Sequence, residues 1–200
     1  SYKQAIDIQP EFAEAHNNLG NILYASGKFD DAIESYNRAL AIQSDYFEVH
    51  NSLGNIFHEL EQFDIALESY EKALDLYPDY AEAHNNLGIT LKELGKLEEA
   101  VESYNKALNI NPDYAEAHNN LGITLETLSK YDEAVKSYEK AIAINSSYAV
   151  AHNNLGHTLY LLNLTDKALN CFKKALALNP EFVDAHNNMG NIFQDLGRLD

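Results

Sequence analysis

His84-Asn85-Asn86-Leu87-Gly88 decides the fold, because it returns unchanged at His16–Gly20, His118–Gly122 and His152–Gly156. Near copies stand at His50–Gly54, with Ser52 for one Asn, and at His186–Gly190, with Met189 for the Leu. The closing glycines Gly20, Gly54, Gly88, Gly122, Gly156 and Gly190 are each 34 residues apart. Self-similarity at that fixed period predicts stacked helix–turn–helix units. In such a solenoid each unit touches only its neighbours, so 200 residues need not form one or two globular domains.

Residues 81–114 serve as the type unit. Pro78 ends the preceding helix, and Asp79 with Glu82 three residues on is a capping-box pattern for helix A. Ala83, Leu87, Thr90, Leu91 and Leu94 recur at helical spacing and predict its buried face. Gly95 breaks the helix. Glu98 and Glu99 then suit the positive end of helix B, whose buried stripe is Val101, Tyr104, Ala107 and Leu108. Glu102 and Lys106 form an i,i+4 pair on the solvent side. Gly88 and Ala100 recur in every complete unit. A mid-helix glycine costs ~1 kcal/mol against alanine, so repeated copies imply close approach of helices A and B. A third small column, Ala39, Ala73, Ala107, Ala141 and Ala175, predicts approach of helix B to the next unit.

Phasing the chain this way gives full units at 13–46, 47–80, 81–114, 115–148 and 149–182. Residues 1–12 match the second helix of a partial unit, and 183–200 the first helix of another, the expectation for a window cut from a longer array. Those end helices would expose Tyr2, Ala5 and Ile6 at one end and Met189, Ile192, Phe193 and Leu196 at the other. Complementary exposed ends predict head-to-tail self-association.

The columns Leu87-Gly88, Ala100, Tyr104, Ala107 and Pro112 resemble the tetratricopeptide repeat (TPR) family, and the resemblance covers all 200 residues. Departures are small: Ser44 and Ser146 replace the proline, and His stands where the family often has a large aromatic. The Asn column is also similar to the array of the O-linked N-acetylglucosamine transferases and of bacterial multi-TPR proteins, without that enzyme's catalytic region. The resemblance implies an all-α, right-handed superhelical solenoid of antiparallel helix pairs, 1–200 as a single array, with A helices lining a concave groove. It implies a protein–protein interaction scaffold.

Thirty-one acidic against fourteen basic residues give a net charge of −17. Such a surface repels phosphate backbones, which argues against nucleic acid and anionic membranes and favours a basic or neutral protein or peptide. Residues 1–100 carry 6 basic and 19 acidic residues, and residues 101–200 carry 8 and 12. No apolar run approaches the ~18 residues of a membrane span. Cys171 is alone, so it has no intrachain disulfide partner.

The repeated histidines His16, His50, His84, His118, His152 and His186 do not predict a metal ladder. Adjacent units stand roughly 10 Å apart, a helix diameter, whereas Zn–N bonds need ~2.0–2.1 Å. Packing or hydrogen bonding between helices is expected instead. No cofactor and no metal is called for. Ser35, Ser69, Ser103 and Ser137 repeat on helix B at solvent-side spacing with no partner histidine, and Cys171 replaces them in the fifth unit, so catalysis is not expected.

Groove candidates come from the opposite face of helix A. Asn85, Asn86, Ile89 and Lys92 fall there in the type unit, and Asn119, Asn120, Ile123 and Glu126 in the next. An asparagine ladder runs Asn18, Asn86, Asn120, Asn154 and Asn188, broken only by Ser52, with Asn153 beside Asn154. Two roles stay open for it: an amide that donates and accepts can hold an extended peptide backbone, or it can bond the neighbouring helix. Variable columns would set specificity: Asn21, Asn55, Ile89, Ile123, His157 and Asn191; Tyr24, His58, Lys92, Glu126, Tyr160 and Gln194; and an acidic edge of Glu14, Glu48, Glu82 and Glu116 that changes to Val150 and Asp184. Val150, Leu161 and Leu164 make the fifth unit the least polar. Two other roles are compatible with the pattern: the substrate-presenting array of a larger enzyme such as a glycosyltransferase, and a self-assembling structural module.

Overall fold

Eleven helices account for the regular secondary structure among the described residues, 10–197 of a computed structural model. They are α1 Ala13–Ala25, α2 Phe29–Ile42, α3 Phe47–Glu59, α4 Phe63–Leu76, α5 Ala81–Glu93, α6 Leu97–Ile110, α7 Ala115–Thr127, α8 Tyr131–Ile144, α9 Ala149–Leu161, α10 Thr165–Leu178 and α11 Val183–Asp195. Odd-numbered helices carry the His-Asn motif and are the A helices; even-numbered ones are the B helices. Residues 1–96 and 97–200 form two compact units, the first holding α1–α5 and the second α6–α11. Inside each unit every helix packs on its neighbours in the chain, and successive A helices also touch: α1 with α3, α3 with α5, α7 with α9, α9 with α11.

Each A helix ends the same way. Lys28 N–H reaches the Leu23 carbonyl at 2.9 Å and Gly27 N–H reaches Tyr24 at 2.8 Å, the two bonds of a Schellman stop. The residue between helices takes a left-handed backbone throughout: Gly27 and Gly95, but also Glu61 (φ 57°), Ser129 (59°) and Asn163 (61°). Register, not residue type, imposes the turn.

The starts of the A helices correct the sequence expectation. The residue before α5 is Tyr80, with no side-chain cap, so Asp79 and Glu82 form no capping box; Phe12, Tyr46, Tyr114, Tyr148 and Phe182 hold the same place uncapped. The histidine ties this corner down instead. Nε2 of His16, His84, His118 and His186 lies 2.9–3.0 Å from the proline carbonyl six residues earlier. His50 and His152 make the same bond to Ser44 and Ser146 at 3.3 and 3.1 Å. A carbonyl only accepts, so Nε2 carries the proton in each. The bond runs back to the turn before the helix, rather than to a neighbouring helix.

The small residues earn their conservation of spacing through one ring. A Cβ on Gly54 would sit 2.5 Å from the Tyr70 ring, and Gly20, Gly122 and Gly156 meet Tyr36, Tyr138 and Phe172 in the same way at 2.5–2.7 Å. The glycine of helix A is thus the floor on which the helix B aromatic lies. Ala39, Ala73, Ala107, Ala141 and Ala175 are fully buried, and Ala39 packs in one cluster with Val49, Leu53 and Ile56 of the next A helix.

Two further expectations are revised. Ser35, Ser69, Ser103 and Ser137 are buried, not on the solvent side; Ser35, Ser69 and Ser137 donate to the carbonyl four residues back at 2.8–3.1 Å. Ile192 is buried, and Met189 and Phe193 are half-buried, leaving Leu196 as the exposed apolar residue of that set. Tyr2, Ala5 and Ile6 lie outside the described residues. Glu102 and Lys106 do pair, at 2.8 Å on the surface.

Candidate functional site: the faces of the A helices

The two asparagines of each motif have different fates. Asn51, Asn85, Asn119 and Asn153 are buried, which corrects the placement of Asn85, Asn119 and Asn153 on an open groove surface. Asn51, Asn119 and Asn153 are buried where the next A helix of the same unit lies on them. Its second asparagine donates across: Asn86 to Asn51 at 3.2 Å, Asn154 to Asn119 at 3.1 Å, Asn188 to Asn153 at 3.0 Å. Asn86 also donates to Asn55 at 3.0 Å, and Asn55 accepts from the buried Tyr70 hydroxyl at 2.8 Å. Tyr36 uses Asn21 in the same way at 2.7 Å. Burial pushes the Tyr70 and Tyr36 hydroxyls up, as befits groups held neutral.

The Ser52 break has a physical consequence. With no amide at that position, Oδ1 of Asn17 is buried and has no hydrogen-bond partner, while its Nδ2 donates to Tyr46 at 3.3 Å.

The column of variable residues is also engaged between A helices. Tyr24 donates to Glu59 and Tyr160 to Asp195. His58 Nδ1 lies 2.9 Å from the Thr90 hydroxyl. Glu126 accepts from Thr158 and lies 3.0 Å from His157, whose pKa is raised by that contact. Lys92 instead pairs within its own helix, with Glu93 at 3.0 Å. Asn18, Asn120, Ile89 and Ile123 are half-buried on the same helices.

What these contacts leave open is local. In the unit of α6–α11 a cavity of about 410 Å³ gathers six predicted groove residues: Ile123, Glu126, Asn153, Asn154, His157 and Asn188. Tyr138, Asp184 and Asn187 complete its lining. Tyr138 was hidden from a face-by-face reading because it belongs to a B helix and reaches the cavity over Gly122. The arrangement offers amides, carboxylates and an apolar floor, with no nucleophile–base pair in it. Val150, Leu161 and Leu164 are 40–42% exposed.

Comparison with known proteins agrees with this geometry. The TPR repeat profile matches residues 1–27, 20–61, 54–95, 90–129 and 127–163, and tetratricopeptide repeat profiles match 149–182 and 171–200. The chain belongs to the tetratricopeptide repeat family. A search of curated proteins finds no match. Among solved structures it is similar to YrrB, a TPR protein with an unusual peptide-binding site, at 24% identity and a TM-score of 0.73, over 95% of this chain and 98% of that one. MamA is 28% identical with a TM-score of 0.73, over 81% and 95%. PilF of Pseudomonas aeruginosa is 21% identical with a TM-score of 0.83, over 95% and 86%.

Proposed function

We propose that this chain is a protein-interaction module that takes an extended, basic or neutral segment of a partner along the faces of its A helices, and that it works by binding rather than catalysis. TPR proteins are typically interaction modules, and the observation that carries the finer reading is the cavity bounded by Ile123, Asn154, His157 and Asn188. Asn153, Asn154, His157, Glu126 and Asn188 around it are committed between helices, while Asp184 and Asn187 of its lining take part in none of those bonds and face a guest backbone with their hydrogen-bonding groups. Its carboxylates and the net charge of −17 oppose an acidic guest. The peptide-binding site of YrrB supports the same use of a similar fold.

The test is an array of random-sequence decapeptides probed with the labelled chain. Ile123→Lys and Asn187→Lys, which block the cavity without touching an asparagine rung, should reduce binding at least tenfold at unchanged melting temperature. Undiminished binding by the blocked variants, or preference for acidic peptides, would overturn the proposal.

A further inference from the structure

A second site lies at the other end of the chain, where two equivalent corners differ. In the unit of α1–α5, the turn into α5 is packed with rings: Tyr77 lies 4.8 Å from Phe47 and 6.2 Å from Tyr80, and Phe47 meets Tyr80 edge-on at 5.2 Å. Thirty-four residues earlier, Ala13 stands for Phe47, Gln43 for Tyr77 and Tyr46 for Tyr80. Two rings are missing from the same frame. What remains is an open cavity of about 680 Å³.

Its walls still include the rings of Phe12, Tyr46 and Phe47, and Phe47 is held in place from behind by Tyr77 and Tyr80. The rest of the polar lining is acidic: Glu11, Glu14, Asp45 and Glu48, with Gln43 and no basic side chain. Glu14 and Glu48 line the cavity together with Tyr46, and the Tyr46 hydroxyl is pushed up by burial and then by Glu48. The filled corner shows that this frame accepts a flat six-membered ring. The open corner keeps the acidic positions of the filled one, Glu11, Glu14, Asp45 and Glu48 standing for Asp45, Glu48, Asp79 and Glu82, and leaves open the space that the rings occupy there.

We propose that this cavity takes an arginine side chain of the partner segment. A guanidinium is planar and stacks on aromatic faces, it binds carboxylates in a bidentate fork, and it sheds water more readily than an ammonium. A neutral ring satisfies the walls and not the carboxylates; a lysine satisfies the carboxylates and not the walls. The assignment rests on the reading of the chain as a peptide-binding module and names one residue that the peptide must carry.

The probe is the peptide acetyl-Gly-Ser-Ala-X-Ala-Ser-Gly-amide with X as Arg, Lys, norleucine, Tyr or Glu, titrated into the ¹⁵N-labelled full chain by NMR. The Arg peptide should bind several-fold tighter than Lys and at least tenfold tighter than norleucine, Tyr or Glu, with the largest shifts at Ala13, Gln43 and Phe47. The double variant Ala13→Phe, Gln43→Tyr transplants the filled corner and should abolish the Arg preference. Glu14→Gln, Glu48→Gln leaves the cavity open and should cut Arg affinity at least fivefold, which keeps the test decisive if the transplant misfolds. A Tyr peptide binding best would make this an aromatic slot and overturn the assignment. Arg binding that both variants leave unchanged would overturn it while the groove reading stands. No shifts from any peptide at this corner, with array binding intact, would overturn it equally; failure of both experiments would remove the groove reading as well.

Discussion

Asn51 and Asn17 occupy the same position of the same motif, in α3 and α1, and the residue that would complete the rung differs: Asn86 for the one, Ser52 for the other. Asn51 receives a hydrogen bond from Asn86; Asn17 faces Ser52 and its buried Oδ1 receives none. The two sites teach what the asparagine column is for. A residue kept to hold a guest would be indifferent to its counterpart 35 residues on. A residue that bridges A helices leaves an orphaned acceptor as soon as the counterpart is lost. The column is therefore chiefly a set of rungs between A helices, and the sites open to a guest are the places the rungs do not fill.

Four measurements would break or sharpen that contrast. Asn86→Ala removes the donor to both Asn51 and Asn55 and leaves a buried acceptor unpaired, so urea unfolding should show a loss of about 2–3 kcal/mol. A loss under 0.5 kcal/mol would return the column to a ligand-only role. Next comes the motif's glycine: Gly54→Ala drives a Cβ into Tyr70 and should cost about 1–2 kcal/mol, whereas Gly190, with no neighbour within 4 Å, should gain up to about 1 kcal/mol on the same change. Equal effects at the two positions would refute the ring-and-floor account. Third, Ser52→Asn supplies the missing donor to Asn17 and should stabilise the chain by about 0.5–1.5 kcal/mol. Destabilisation would mean that the Ser52 hydroxyl, which lies by Tyr36, matters more than the rung.

The smallest effect concerns two kinds of histidine. His118 is pushed down by burial, so the unfolded chain takes its proton more readily, and stability falls as pH drops below about 6.5. His157 is raised by Glu126, so its contribution is complete below about pH 6.5 and is lost as pH rises through its folded value. His118→Asn should flatten the acid limb of the stability curve and His157→Asn the near-neutral limb. Identical curves for the two variants would contradict both assignments.

Much of the fold was legible in the sequence. The period placed the helices, and the recurring Gly88 and Ala100 announced close packing before the ring responsible was known. The sites were less legible. Asn119 and Asn120 are both polar and adjacent, about 100° apart on a helix, so periodicity alone does not tell which one the next A helix covers. Ser69 looked solvent-facing because a hydroxyl is polar, yet its bond to Ile65 satisfies it locally and allows burial. Asp79 suggested a capping box because the residue types match, but Tyr80 takes the capping position one residue later. The cavity beside Ala13 and Gln43 is a difference between two repeats, and it becomes visible only when the filled corner is seen beside it.

A double-mutant cycle on the two rungs tests the central claim most directly. The four chains needed for Asn51/Asn86, each residue replaced singly and together by Ala, are compared with the four for Asn17/Ser52 by urea unfolding. A coupling of about 1 kcal/mol or more at Asn51/Asn86, with one near zero at Asn17/Ser52, is the predicted result. Equal couplings at the two rungs, or none at Asn51/Asn86, would contradict it.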